Sequence, residues 1–285
     1  MKTDAVIRRP DNRELAATVW PTESDHCVII NSAMGVKRRF YATFADYLND
    51  SGFQVITYDY DGIGDSAHDS LRTCDTRLYE WGEQDFEGVL RFASSQLKAQ
   101  HIAVVGHSVG SQIIGLAESN SQIDAIVMVA SQSGYWGHWS GLPRIGMFFA
   151  WHVALPVIAR VLGHFPGRLA GGNVSLPEHI ARDWARCGRH PDYLRGGYAR
   201  ESDKYFQQVQ APILALNISD DNYAPLASAE ALLSWYNSAE TRLSVVTPES
   251  LRVKKIKHFG WFRQHIAESS WKTVTEWLIS QLGPR

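Results

Sequence analysis

The sequence predicts an α/β fold: a mostly parallel, twisted sheet of about eight strands flanked by helices, interrupted once by a helical insertion. Three observations carry that prediction. Apolar, β-branched runs alternate with helix-length amphipathic segments along most of the chain, and such alternation yields parallel strands joined by crossover helices. The first two runs are separated only by Pro10-Asp11-Asn12, which reads as a hairpin turn. One stretch, 134–201, holds no strand-like run and is punctuated by prolines.

The elements follow in order. "AVIRR" and "ELAATVW" form the hairpin, and "CVIINSA" is a buried strand followed by a helix pattern over 39–51. "FQVITYDY" is the next strand and "EWGEQDFEGVLRFASSQL" the next helix. "IAVVG" leads into a further helix, and "AIVMVAS" is the strand before the break. After it come the strand "APILALNIS", a helix over 224–236, the strand "LSVVT" and the closing helix "SWKTVTEWLISQL". The break carries Trp136, Trp139, Trp151 and Trp184 with Pro143, Pro156, Pro166, Pro177 and Pro191. A structureless loop of that length is improbable in a compact domain. It is therefore expected to be a helical subdomain at 134–201, set into a core made of 1–133 and 202–285.

Composition narrows the function. With 45% hydrophobic and 20% charged residues, the 285-residue chain has ordinary globular character. A formal net charge of -2 offers no general attraction to phosphate backbones, so no nucleic-acid partner is expected. Cys27, Cys74 and Cys187 are scattered, which speaks against a disulfide framework or a zinc site and for a reducing, cytoplasmic setting. The N-terminus has no apolar signal region. The most apolar stretch, 145–159, has only 15 residues between arginines. That is short of the roughly 20 a span needs, so no membrane segment is expected.

The chemistry-bearing segment is "HIAVVGHSVGSQ" at 101–112. A strand, then Gly-His-Ser-Val-Gly, then a helix is the signature of a nucleophile held on a strained turn. Glycines on both sides of Ser108 permit the turn, and the hydroxyl then projects above the carboxyl ends of the parallel strands. A plain tight turn is the alternative, and partners elsewhere in the chain decide between the two. A serine hydroxyl needs a histidine to take its proton and an acid to orient the ring. "ISDDNYAP" places Asp220 and Asp221 at a strand end. Of eleven histidines only His258 and His265 follow that pair. His265 falls in a helix-like stretch. His258 lies in a loop beyond the last strand and is the base candidate. His107, next to Ser108, is expected to point away from it and pack.

These features together resemble the α/β-hydrolases, near the serine-aminopeptidase and monoacylglycerol-lipase-like branch. In that family the triad acid is followed by two residues and an apolar–Pro pair, which Asp221-Asn222-Tyr223-Ala224-Pro225 matches, so the resemblance selects Asp221 over Asp220. The loop "IINSAMGVKRRFY" resembles the family's oxyanion loop, with Ser32-Ala33 where His-Gly is usual. Aligned on Tyr41, Met34 takes the oxyanion position, and its backbone N–H would act together with that of Val109. "DYDGIGDS" resembles the family's D-x-R-G-x-G-x-S turn with Asp61 in place of the arginine, and its aspartates are expected to bond locally. The resemblance covers the chain outside 134–201. It implies a serine hydrolase that cleaves a carboxylic ester through an acyl-enzyme, with a small-molecule substrate, no cofactor and no metal. Thioesterase, amidase and acyltransferase activities share the same triad, and a non-catalytic binding protein is the opposing class. The insertion would then be a lid over Ser108, with Trp136, Trp139, Phe148 and Trp151 lining a substrate pocket or, alternatively, forming only the subdomain's own core.

Overall fold

The computed structural model describes residues 1–172, 174–198, 201–266 and 270–283. Eight strands make one sheet: β1 (Thr3–Arg8), β2 (Glu14–Trp20), β3 (His26–Asn31), β4 (Gln54–Tyr58), β5 (His101–His107), β6 (Ile123–Val129), β7 (Ile213–Ile218) and β8 (Thr241–Val246). Their spatial order is β1-β2-β4-β3-β5-β6-β7-β8. β1 and β2 form the expected antiparallel hairpin, β2 meets β4 antiparallel, and every later pairing is parallel. Strands β3, β4 and β7 are buried at every position. That is what continuous apolar runs require when helices cover both faces.

Alternation along the strands divides the core in two. Ile29, Ile56, Val104 and Ile126 face one layer with Trp81, Phe86 and Leu90. Val28, Val55, Val105 and Val127 face the other with Phe44, Trp261 and Trp271. The second layer is closed by the helices Ala42–Asp50 and Lys272–Leu282. Both layers leave the carboxyl ends of the parallel strands free to carry loops, and there the candidate residues collect.

Four expectations need correction. The helix after Ser108 is short: Val109–Gln112, then a tighter turn at Ile114–Leu116. Tyr236 Oη donates to the Ser111 carbonyl at 2.7 Å and Asn120 Nδ2 to the Ile114 carbonyl at 3.2 Å, so side chains satisfy acceptors that a longer helix would have used. The insertion does contain strand, a two-residue antiparallel ribbon pairing His164–Phe165 with Leu176–Pro177.

The third correction concerns the apolar stretch. Gly141–Leu162 is one helical run of 22 residues, with a mean hydropathy of 1.8 in its most apolar window, long and apolar enough by length and composition to cross a membrane. Pro156 does not end it. Proline cannot supply the N–H that the preceding turn expects, and a wider turn at Ala150–Ala154 absorbs the defect. Only 17% of that window is buried. Trp151, Leu155 and Ala159, spaced by four, form the inward stripe.

The fourth is Asp61, whose bonding is long-range. It accepts from Arg9 and Arg13 of the hairpin, from Thr76 Oγ1 at 2.7 Å and from His68 Nε2 at 2.8 Å. Burial alone would raise its pKa, but the Thr76 and His68 hydrogen bonds and the Arg9 charge hold it below the usual carboxylate range. Where the resembled motif has an arginine, this chain has a carboxylate and supplies the positive charge from β1–β2. Asp59 does bond near its own turn, accepting from the Asp65 N–H at 3.0 Å, and it also takes the Arg38 N–H at 2.7 Å.

Candidate active site

Ser108 sits between β5 and the short helix with φ +54° and ψ -116°. A serine pays steric energy for that conformation, of order 1–3 kcal/mol. The surrounding structure enforces it. A Cβ at Gly106 would run into Ser111, and one at Gly110 would run into the Asn31 carbonyl. Asn31 at the end of β3 also donates its side-chain amide to the Gly110 carbonyl at 3.0 Å. The turn is thereby locked against the neighbouring loop.

Beyond β7, Asp221 is buried and accepts from His258 Nδ1 at 2.7 Å. Its other oxygen accepts the Tyr223 N–H at 2.8 Å, which fixes the carboxylate plane. Asp220 points elsewhere. It takes the N–H groups of Ile256 and Lys257 at 3.1 and 2.9 Å, bracing the backbone just before His258. The two adjacent aspartates thus divide the work: one orients the ring, the other anchors its loop. Nδ1–H of His258 is committed to Asp221, which leaves Nε2 as the free nitrogen. Ser108 and His258 share no hydrogen bond here, and Ser108 Oγ instead lies 3.4 Å from the Gln132 amide. Such nucleophile–base contacts are commonly loose before substrate binds.

Met34 and Val109, the expected oxyanion donors, are both buried. Neither N–H bonds to a protein acceptor among the described residues. Buried backbone donors are rarely left unpaired; one of these lies in the loop after β3 and the other just after Ser108.

His107 does more than pack. Its Nδ1 lies 2.8 Å from Tyr41 Oη and its Nε2 lies 2.9 Å from the His258 carbonyl. Tyr41 Oη in turn accepts the Ala33 N–H at 2.8 Å. One assignment satisfies every atom: Nε2–H donates to the carbonyl and Tyr41 donates to Nδ1. A buried chain of hydrogen bonds therefore joins the loop at Ala33, the strand before Ser108 and the backbone of His258. Complete burial, then the neighbouring His258, push the His107 pKa well below its ordinary value, which keeps this tautomer neutral.

The four aromatics of the insertion separate. Trp139 is buried and donates Nε1–H to the Asn222 carbonyl at 2.9 Å, touching the acid's loop. Trp151 is buried against Trp184 and donates to the Gly134 carbonyl at 2.9 Å, within the core layer that also holds Trp81 and Leu90. Trp136 and Phe148 stack edge to face with centroids 5.0 Å apart, and Phe148 is 44% exposed. A second contact with the site comes from Val174, whose N–H donates to the Gly35 carbonyl at 3.2 Å. Gln132 was missed by sequence reasoning: no motif marks it, and only the path of the chain after β6 brings it to Ser108. Among the described residues no group of three or more His, Cys, Asp or Glu could hold a metal ion.

The sheet order and the placement of these loops define an α/β-hydrolase. Solved structures agree. The chain is similar to an esterase from Pyrococcus furiosus (16% identity, 99% of this chain and 92% of that one, TM-score 0.64). It is also similar to a soluble variant of Saccharomyces cerevisiae monoglyceride lipase in complex with a substrate analogue (14%, 98% and 95%, 0.67) and to a monoacylglycerol lipase from Paleococcus ferrophilus (14%, 94% and 99%, 0.61). No curated protein matches by sequence. The profile of the serine aminopeptidase S33 family matches residues 22–190, more than half of the chain, and the protein belongs to that family.

Proposed function

We propose that this protein is a serine hydrolase that cleaves carboxylic esters of apolar acyl groups, with Ser108 as nucleophile, His258 as general base and Asp221 as the acid that orients it. The observation that carries the reading is the 2.7 Å bond from His258 Nδ1 to Asp221 at the same sheet edge as the strained Ser108. Ser108 Oγ attacks the ester carbonyl while its proton passes to His258 Nε2. The Met34 and Val109 N–H groups receive the oxyanion. Collapse of the tetrahedral species breaks the bond to the alkoxide, which takes the proton from His258 and leaves as the alcohol. Water then attacks the acyl-enzyme and gives its proton to His258. The carboxylic acid departs as that proton returns to Ser108. Nothing in the scheme calls for a cofactor.

The segment 134–201 acts in this reading as a lid, supported by its two contacts with the site loops through Trp139 and Val174. Its outward face carries Leu142, Ile145, Val157 and Val161, all exposed, which suits substrates that are themselves apolar. A reducing, cytoplasmic setting fits three buried, free cysteines. Turnover of short p-nitrophenyl esters by the wild type and not by Ser108→Ala is the expected result. Labelling of Ser108 without turnover of any ester would redirect the reading to thioesters, amides or acyl acceptors other than water.

A further inference from the structure

We infer that Gln132 reads a hydroxyl group flanking the scissile carbonyl, so that the preferred esters carry such a group on the acyl or the alcohol side. The inference rests on Ser108 being the nucleophile.

The backbone around Gln132 is clamped from two sides. Ser131 Oγ donates to the Val129 carbonyl at 3.0 Å and accepts from Ser111 Oγ at 2.7 Å. The Gln132 carbonyl takes Gln112 Nε2–H at 2.6 Å, and the Ser133 N–H donates to the Ser228 carbonyl at 2.8 Å. With the main chain held in this way, the side chain is directed at the nucleophile. It is only 8% exposed, and both heteroatoms of its amide lie 3.4 Å from Ser108 Oγ. Among the described residues these are the only hydrogen bonds its amide makes.

A carboxamide offers two N–H donors and an oxygen with two lone pairs. One pair of long contacts leaves most of that capacity unused, and a buried polar group left unpaired costs about 1–3 kcal/mol. Methionine would fill similar space without the cost. What the amide complements is a neutral group that both donates and accepts, which is the chemistry of a hydroxyl. Its distance from Oγ sets where that hydroxyl must be. When Oγ is bonded to the carbonyl carbon, the amide reaches groups on the atoms flanking that carbon and not the far end of an acyl chain.

Two matched ester pairs test this. On the acyl side, p-nitrophenyl 2-hydroxyhexanoate is compared with p-nitrophenyl hexanoate. On the alcohol side, 2-hydroxyethyl hexanoate is compared with propyl hexanoate. The wild type should favour the hydroxylated member of one pair in kcat/KM. Gln132→Met should reduce that preference by about 5–150-fold, the range expected when one buried hydrogen-bond partner is lost. The pair in which the preference collapses identifies the side. If Gln132→Met fails to fold, Gln132→Leu removes both the donors and the acceptor with a different shape and should show the same collapse. Preferences unchanged in both pairs, or all four esters slowed by one common factor, would overturn the role given to Gln132. Fluorophosphonate labelling of the wild type separates the two failures: no adduct on Ser108 defeats the underlying reading, whereas a normal adduct with constant preferences defeats only the inference about Gln132.

Discussion

The loops bearing Ser108, Asp221 and His258 and the helix Gly141–Leu162, which lies between β6 and β7, are held by different forces. In the loops, directional hydrogen bonds fix the key side chains and the backbone beside them. Asp221 fixes His258, Asp220 fixes the backbone before it, and His107 ties that histidine's carbonyl through Tyr41 to Ala33. That helix packs through one apolar stripe, Trp151, Leu155 and Ala159, and turns Leu142, Ile145 and Val161 outward at 66–81% exposure. Hydrogen bonds impose angles and distances, whereas apolar packing mainly imposes proximity. In the proposed reading, the comparison teaches that reaction geometry is built into the sheet edge, while acyl-length preference is left to a surface that can change without disturbing it.

The largest effects should come from breaking the first region. Ser108→Ala and His258→Ala should each lower kcat by roughly 10⁴–10⁶, since the two act as one unit. Asp221→Asn should cost somewhat less, on the order of 10³–10⁴. Steady-state kinetics on one p-nitrophenyl ester checks all three, and a silent Asp221→Asn would remove that residue from the triad.

The second region should respond in stability or selectivity. Trp151→Ala should destabilise by about 3–5 kcal/mol in urea melts, as buried tryptophans do. Phe148→Ala, half exposed against Trp136, should instead leave the melt nearly unchanged. Its effect should be a shift in acyl-length preference worth about 1–3 kcal/mol between neighbouring substrates. If Phe148→Ala lowers all activities in parallel, that face does not choose substrates.

A smaller effect reads the polar relay directly. His107 stays neutral in the native state because its pKa is depressed, while the unfolded chain takes up a proton there as pH falls through about 6.5. Below that pH the unfolded state binds more protons, so stability falls on acidification by about 1.4 kcal/mol per pH unit until the native value is reached. His107→Gln should flatten this slope between pH 6.5 and 5 in melts. An unchanged slope would mean that His107 titrates normally. Smallest of all, Met34→Leu should leave kcat within a few-fold, because only the backbone N–H is used there. A loss of roughly 10²–10³ would assign the oxyanion donor to a side chain.

Most of the fold was legible because continuous apolar strands and short connections write themselves locally. The strand before Ser108 and the chain order of serine, acid and histidine were equally local signals. What escaped depends on distant contacts. Asp61 reads as a turn residue until Arg9 and Arg13 arrive from the hairpin. Arginines at both ends and Pro156 within it make 145–159 read as a short segment, yet a wider turn carries the helix past the proline. Gln132 and the His107 relay join residues 24 to 151 positions apart, and no periodicity encodes such pairings.

The most direct test is site-resolved mass spectrometry after exposure to a fluorophosphonate, comparing labelling rates of the wild type, Ser108→Ala and His258→Ala. The expected result is a single adduct on Ser108, absent in Ser108→Ala and slowed by at least about 10³ in His258→Ala. An adduct on another residue, or a Ser108 labelling rate indifferent to the loss of His258, would contradict a serine activated by the Asp221–His258 pair.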